Sequence, residues 1–149
     1  MGRLVEGKWR TDSIITSDKK GSYDRIPRSF RDSISKAGPF TPESGRYHLY
    51  VSYACPWAHR TLIYRELKGL QDHISVSVVH PDMMDQGWTF ETNFPETTGD
   101  DLYQKNHLSE IYLKAKPDVS TSVTVPVLWD KKHQTIVNNE SSKIFRFFN

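Results

Sequence analysis

Residues 47–70 read YHLYVSYACPWAHRTLIYRELKGL, and the fold follows from how that stretch changes its period. Tyr47, Leu49 and Val51 alternate with His48, Tyr50 and Ser52, the aromatic and β-branched pattern of a pleated, half-buried strand. Pro56 then stands where a helix accepts proline, in its first turn, because the missing N–H has no partner there anyway. Beyond it Leu62, Ile63 and Leu67 make an apolar stripe, Arg60 and Arg65 lie outside the stripe, and Gly69 marks a stop. The turn between strand and helix carries Cys55, the single cysteine of the chain. Its sulfur is thereby set at the positive end of a helix, where a thiolate is favoured.

The rest of the composition narrows the class. A length of 149 residues suits one domain with a real core. Twenty basic and eighteen acidic residues nearly cancel and are interspersed, so there is no electrostatic footprint for nucleic acid. No apolar run is long enough to cross a bilayer, and MGRLVEGKWR has no apolar segment of the secretory type. Met1-Gly2 resembles the start of a myristoylation signal, but Glu6 occupies the place of its Ser or Thr. One cysteine excludes an internal disulfide framework, and the sequon at Asn139 is discounted without a secretory signal. The expectation is a soluble, cytoplasmic protein with no nucleic-acid or membrane partner.

Outward from the opening stretch, residues 1–46 are polar and turn-rich, with breakers at Gly38-Pro39 and from Pro42 to Gly45. They read as an arm that wraps the domain formed by residues 47–149, with Ile26, Phe30 and Phe40 as anchors and a short helical turn from Phe30 to Ile34. Downstream, ISVSVVH from Ile74 is a second strand, joined to the first by a helix and therefore parallel to it with a right-handed crossover. Residues 81–100 form a long irregular loop holding Trp88 and Phe90, and loops of that length are usually functional or mobile. Leu102 to Ala115 has helical spacing and ends before Pro117. Val123 to Asp130 reads as a third strand with Pro126 early in it, Thr135 opens a fourth, and a helix starts near Ser141. The order β-α-β-α-β-β-α with a mixed four-stranded sheet is a thioredoxin-like fold. A proline otherwise argues against a central strand; a cis-proline facing the cysteine accounts for Pro126.

Thiol chemistry is constrained by what is missing around Cys55. The place three residues on, where a resolving cysteine would stand, holds Ala58. A mixed disulfide formed at Cys55 must therefore be resolved by an outside thiol, and glutathione is the abundant candidate. The alternative is a packed, inert cysteine. A glutathione site needs an acceptor for the ammonium, donors for the carboxylates and backbone pairing for the central cysteine. Glu140 and Ser141 open a helix whose free N–H groups suit a carboxylate, although they also suit plain capping. Val125, before Pro126, can present its backbone to an extended peptide or simply pack. Trp88 either covers a ligand or anchors its loop. His59, one turn beyond Cys55, reads as a helix-surface or packed residue. The six histidines and one cysteine have no metal-ligand spacing.

The blocks CPWAHR, QGWTF and TVPVLWD followed by IVNNES together resemble the glutathionyl-hydroquinone reductases, the Xi class of glutathione transferases, along the whole chain. The resemblance implies reduction of glutathionyl-hydroquinones to hydroquinones. Cys55 takes glutathione from the conjugate, a second glutathione resolves the mixed disulfide, and Trp88, Val125, Glu140 and Ser141 bind the first glutathione. Two departures stand out. The family carries a basic residue shortly before TVP, where this chain has Ser122; losing a charge-assisted contact to a carboxylate costs about 1.5–3 kcal/mol if nothing replaces it. The family also continues into an all-helical domain that completes the hydroquinone pocket and the dimer contact, so a homodimer is doubtful for a chain ending at Asn149. Ile144, Phe145, Phe147 and Phe148 at that end predict an exposed apolar patch.

Overall fold

The computed structural model describes residues 2–12 and 29–149. Strand β3 (Tyr47–Val51) is the axis, and all five of its residues are buried. It pairs in parallel with β4 (Ile74–Val78), in register from Tyr47 opposite Ile74 to Val51 opposite Val78. Its other edge pairs antiparallel with β6 (Val127–Asp130), which continues into β7 (Thr135–Asn138). The sheet order is β4-β3-β6-β7, the mixed four-stranded sheet of a thioredoxin-like fold. Half-burial of β3 was the expectation from its alternation; a central strand is instead covered on both faces. The segment from Asp100 to Tyr103 packs on the face that carries Tyr50 and Trp129. Tyr50 donates its hydroxyl to Asp100 at 2.9 Å, and the His48 ring bridges the hydroxyls of Ser75 (2.6 Å) and Ser77 (2.8 Å).

Helix α1 (Pro56–Leu67) makes the crossover, but not with the expected stripe. Ala58 and Thr61 are the buried residues, while Ile63 is 44% and Leu67 75% exposed. Small side chains let the helix axis approach the sheet, Leu62 and Tyr64 pack at its margin, and Ile63 and Leu67 are left pointing away. Nor does Arg65 stand free: its Nε donates to the Ile74 carbonyl at 2.6 Å and its Nη2 to that of Gln71 at 2.9 Å. Helix α3 (Ser141–Phe147) packs beside α1, with Phe145 stacked on Tyr64 at a ring separation of 4.7 Å. Ile144 and Phe148 are buried, and Phe145 and Phe147 are half-buried. None of these four is exposed; the exposed large apolar residues include Trp57, Ile63 and Leu67 of α1 instead.

Helix α2 (Leu108–Ala115) begins six residues later than its spacing suggests. The Asp100 carboxylate accepts the N–H groups of Leu102 (3.0 Å) and Lys105 (3.1 Å), which holds the preceding segment in a turn. Local capture of backbone donors by an aspartate competes with helix in this way. Glu110 then accepts the N–H of His107 at 2.9 Å and starts the helix.

The third expected strand, Val123 to Asp130, is shortened: its ladder begins only at Val127. Just before its expected start, β5 (Thr121–Ser122) joins a second, three-stranded sheet of order β2-β1-β5. That sheet uses an amino-terminal hairpin that its polar sequence concealed, β1 (Arg3–Val5) and β2 (Lys8–Arg10). Glu6 and Gly7 turn it with φ of 48° and 75°, the left-handed pair that matches hairpin twist. A Cβ on Gly7 would lie 2.0 Å from the Pro117 oxygen, so no other residue fits. Leu4 is 1% exposed. Phe30 and Phe40 are buried, and Phe30 meets Tyr112 edge-on at 5.8 Å. Ile26 lies outside the described residues. The helical turn expected from Phe30 does not form; Arg31 bridges Asn138 and the Asp32 N–H donates to Val137 at 3.0 Å, so the segment is extended along β7.

Candidate active site around Cys55

The chain leaves β3 at Val51 and turns through Ser52. The Ser52 carbonyl accepts the Cys55 N–H at 3.2 Å, and the Ser52 hydroxyl accepts the Ala54 N–H at 3.2 Å. Cys55 is the N-cap of α1, with extended backbone (φ −103°), and Pro56 follows in the first turn. Its half-buried thiol donates to the Val125 carbonyl at a long 3.8 Å. Ala58 is fully buried and His59 is exposed on the helix surface. Thiol contact therefore comes from across the sheet, not from within the helix.

Val125 is held from behind. The peptide bond between it and Pro126 is cis, and the Tyr112 hydroxyl donates to the Thr124 carbonyl (2.8 Å) while accepting the Thr124 N–H (3.2 Å). Because the β6 ladder starts at Val127, the Val125 N–H and C=O lie outside it. The backbone is thus fixed, unused by the sheet, and turned towards the cysteine.

Trp88 arrives on a loop that is irregular yet doubly pinned. Its carbonyl accepts the Leu108 N–H at 3.0 Å, and the next residue bridges His107. On the other side the Trp9 indole donates to the Asp85 carbonyl at 2.8 Å. Gly87 (φ 79°) leaves room for that indole, since a Cβ there would come within 2.8 Å of Trp9 Cη2. Trp88 itself is half-buried against the core. Glu140 and Ser141 stand at the start of α3, where Glu140 is the N-cap and donates its N–H to Asn138 Oδ1 at 2.8 Å. The Ser142 hydroxyl reaches the Glu140 carboxylate at 3.4 Å, and Ser141 is buried. Among the five predicted side chains and the proline, Cys55 meets the Val125 carbonyl, which the cis bond joins to Pro126. Trp88, Glu140 and Ser141 are presented by separate elements and make no hydrogen bond to the thiol among the described residues. Tyr112 and Trp9 were missed, and an aromatic residue in a helix or arm carries no positional signal of such a role. Among the described residues no group of three or more His, Cys, Asp or Glu could hold a metal ion, and no helix is long and apolar enough to cross a membrane.

The family model for the glutathione S-transferase N-terminal domain matches residues 54–149. The chain belongs to the glutathione S-transferase family. Glutathionyl-hydroquinone reductase YqjG of Escherichia coli K12 is 52% identical over 157 aligned residues, an alignment that covers the whole chain and 48% of that protein. The Xi-class transferase of Natrialba magadii superposes with a TM-score of 0.88 at 49% identity, covering 99% of this chain and 44% of that one. The glutathione-bound structure of YqjG gives 0.78 at 55% identity, covering 83% of this chain and 43% of that one. The chain therefore spans about half the length of these relatives.

Proposed function

We propose that this chain carries the glutathione-handling half of a glutathionyl-hydroquinone reductase. The observation that supports this best is the half-buried thiol of Cys55 at a helix start, directed at the backbone carbonyl of Val125 at 3.8 Å. An incoming peptide pairs its central cysteine with Val125, and its sulfur takes the position beside Cys55. Glu140 receives the ammonium and Ser141 the neighbouring carboxylate, while Trp88 covers the ligand and cis-Pro126 keeps the Val125 edge open. Residues 47–149 form the binding unit and residues 1–46 its arm. A glutathione-rich reducing compartment, the cytoplasm, suits a chemistry that consumes the thiol.

The reaction is a two-step exchange. The Cys55 thiolate attacks the sulfur of the conjugate, the carbon–sulfur bond breaks with its electron pair left on the ring carbon, and that carbon takes up a proton to give the hydroquinone. The resulting Cys55–glutathione disulfide is attacked by a second glutathione thiolate, releasing oxidised glutathione and restoring Cys55. The proton lost by the second thiol balances the one gained by the ring. Mass spectrometry after incubation with oxidised glutathione tests the thiol step, and adduct-free Cys55 in a folded chain would refute it. Steady-state assay with a glutathionyl-hydroquinone tests turnover. A chain spanning about half of its relatives also supports a second outcome, in which Cys55 becomes glutathionylated and no hydroquinone is produced.

A further inference from the structure

The small sheet places a charge beside this site. Arg3 of β1 pairs directly with Ser122 of β5, and Leu4 with Thr121. Directly opposed residues of antiparallel strands share a face, with Cβ atoms about 5 Å apart. Leu4 (1% exposed) and Thr121 (2%) take the inward face, so Arg3 and Ser122 share the other. On its second edge Arg3 pairs with Arg10; the nearby carboxylate of Asp12 is hydrogen-bonded by Arg10 at 3.1 and 3.2 Å and feels the charge of Arg3 without bonding it. Arg3 Nε is buried with no hydrogen-bond partner, and Arg3 has no ion pair among the described residues. A shielded guanidinium nitrogen left unpaired is costly unless an anion completes it.

Geometry says which anion. Ser122 lies three residues before Val125, about 10 Å along an extended chain; a dipeptide covers about 7 Å of that, and the rest is within the reach of an arginine side chain. A peptide whose cysteine pairs antiparallel with Val125 runs its carboxyl end back along residues 124 to 122 and its amino end past Pro126. In glutathione that carboxyl end is glycine. Its amino end, bearing the ammonium, is directed towards acidic Glu140, and its glycine carboxylate calls for a cation on the opposite side of Val125. Ser122 has no charge to offer.

We propose that Arg3, carried on the amino-terminal hairpin, is the cation that receives the glycine carboxylate of glutathione. This rests on the glutathione site proposed above and adds a specificity residue from outside the binding unit. It gives the hairpin a role in ligand recognition: deleting residues 1–10 removes a contact as well as a sheet.

Calorimetric titration of the whole chain with glutathione and with its glycine ethyl ester tests the assignment, using Arg3→Gln and the double variant Arg3→Gln/Ser122→Arg. The unaltered chain is expected to prefer the acid over the ester by about tenfold or more. Arg3→Gln should bind both equally and weakly, with its circular dichroism unchanged. Restoring a cation on the cross-strand neighbour in the double variant should return the preference for the acid. Binding by the unaltered chain that ignores esterification, or that Arg3→Gln leaves intact, overturns the role of Arg3 alone. If the unaltered chain binds no glutathione, the glutathione site falls and Arg3 with it.

Discussion

The two ends of strand β3 carry opposite kinds of polar chemistry. At its start Arg46, 5% exposed, sets Nε and Nη2 on the two oxygens of fully buried Asp130 at 2.8 and 2.9 Å. Its remaining donors reach Thr41 (3.2 Å), Glu43 (3.3 Å) and the Pro39 carbonyl (3.1 Å). Asp130 also takes the Lys132 N–H at 2.9 Å and the His133 ring at 2.8 Å. Every charge faces a partner. Beyond the other end, among the described residues, the Cys55 thiol has one long hydrogen bond, Tyr53 and Trp57 are more than half exposed, and Arg3 Nε has no hydrogen-bond partner. A saturated network holds a fold together and asks for nothing further. Polar groups left under-satisfied in a fixed frame are complementary to something that arrives.

The contrast is broken most severely at the thiol. Cys55→Ser should abolish glutathionylation entirely and leave the thermal midpoint within the scatter of surface variants; a residual adduct would move the chemistry elsewhere. The converse change is Asp130→Ala. Removing one partner of a buried ion pair strands the other, which costs about 3–5 kcal/mol, read as a lowered urea midpoint. Below its unfolding transition that variant should still form the Cys55 adduct. If instead the adduct is lost while the fold persists, the two ends are coupled.

Acid should act on the saturated end of the molecule and on the core behind it, each in its own window. Burial pulls the His48 pKa down to about 4 from 6.5, with Lys131 adding to the effect. The folded state therefore resists protonation that the unfolded state accepts. Stability is full above pH 6.5 and falls as pH drops towards 4, by on the order of 3 kcal/mol at most. Burial alone would raise the Asp130 carboxyl, and it is the largest influence; hydrogen bonds from Arg46, Lys132 and His133 overcome it and hold the pKa at about 2. Its contribution is present above the ordinary value of 3.8 and is lost between there and pH 2. Urea midpoints measured from pH 7 to 3 should show the first loss in the unaltered chain, and His48→Gln should flatten the slope between pH 6.5 and 4.

Much of this was legible from residues alone, and the exceptions have physical reasons. Strand alternation, the helix-start proline and the single cysteine gave the mixed sheet and placed Cys55, because each is a local signal. The amino-terminal hairpin was not legible: strands of three residues, Arg3–Val5 and Lys8–Arg10, are too short for periodicity and are stabilised by a third strand 116 residues away. Asp100 delayed α2 through contacts with Tyr50 and the backbone that no helical pattern contains. The cis bond before Pro126 was legible because a proline within an apolar strand is anomalous. The pairing of Arg3 with Ser122 was not, since it exists only in three dimensions.

The smallest effect is expected on α1, where two of the three residues of the apolar stripe read from sequence, Ile63 and Leu67, are exposed. If Leu62, Ile63 and Leu67 anchored the helix, Leu67→Gln would open a cavity and cost about 2 kcal/mol or more. Leu67 is 75% exposed, however, and the helix is seated through Ala58 and Thr61, whose hydroxyl donates to the Ala58 carbonyl at 2.6 Å. Leu67→Gln should therefore stay within about 0.5 kcal/mol of the unaltered chain. Ala58→Leu, which forces bulk against the sheet beside the cysteine, should destabilise by about 1–3 kcal/mol. Urea denaturation of the two variants side by side decides whether this helix is held by its large residues or by its small ones.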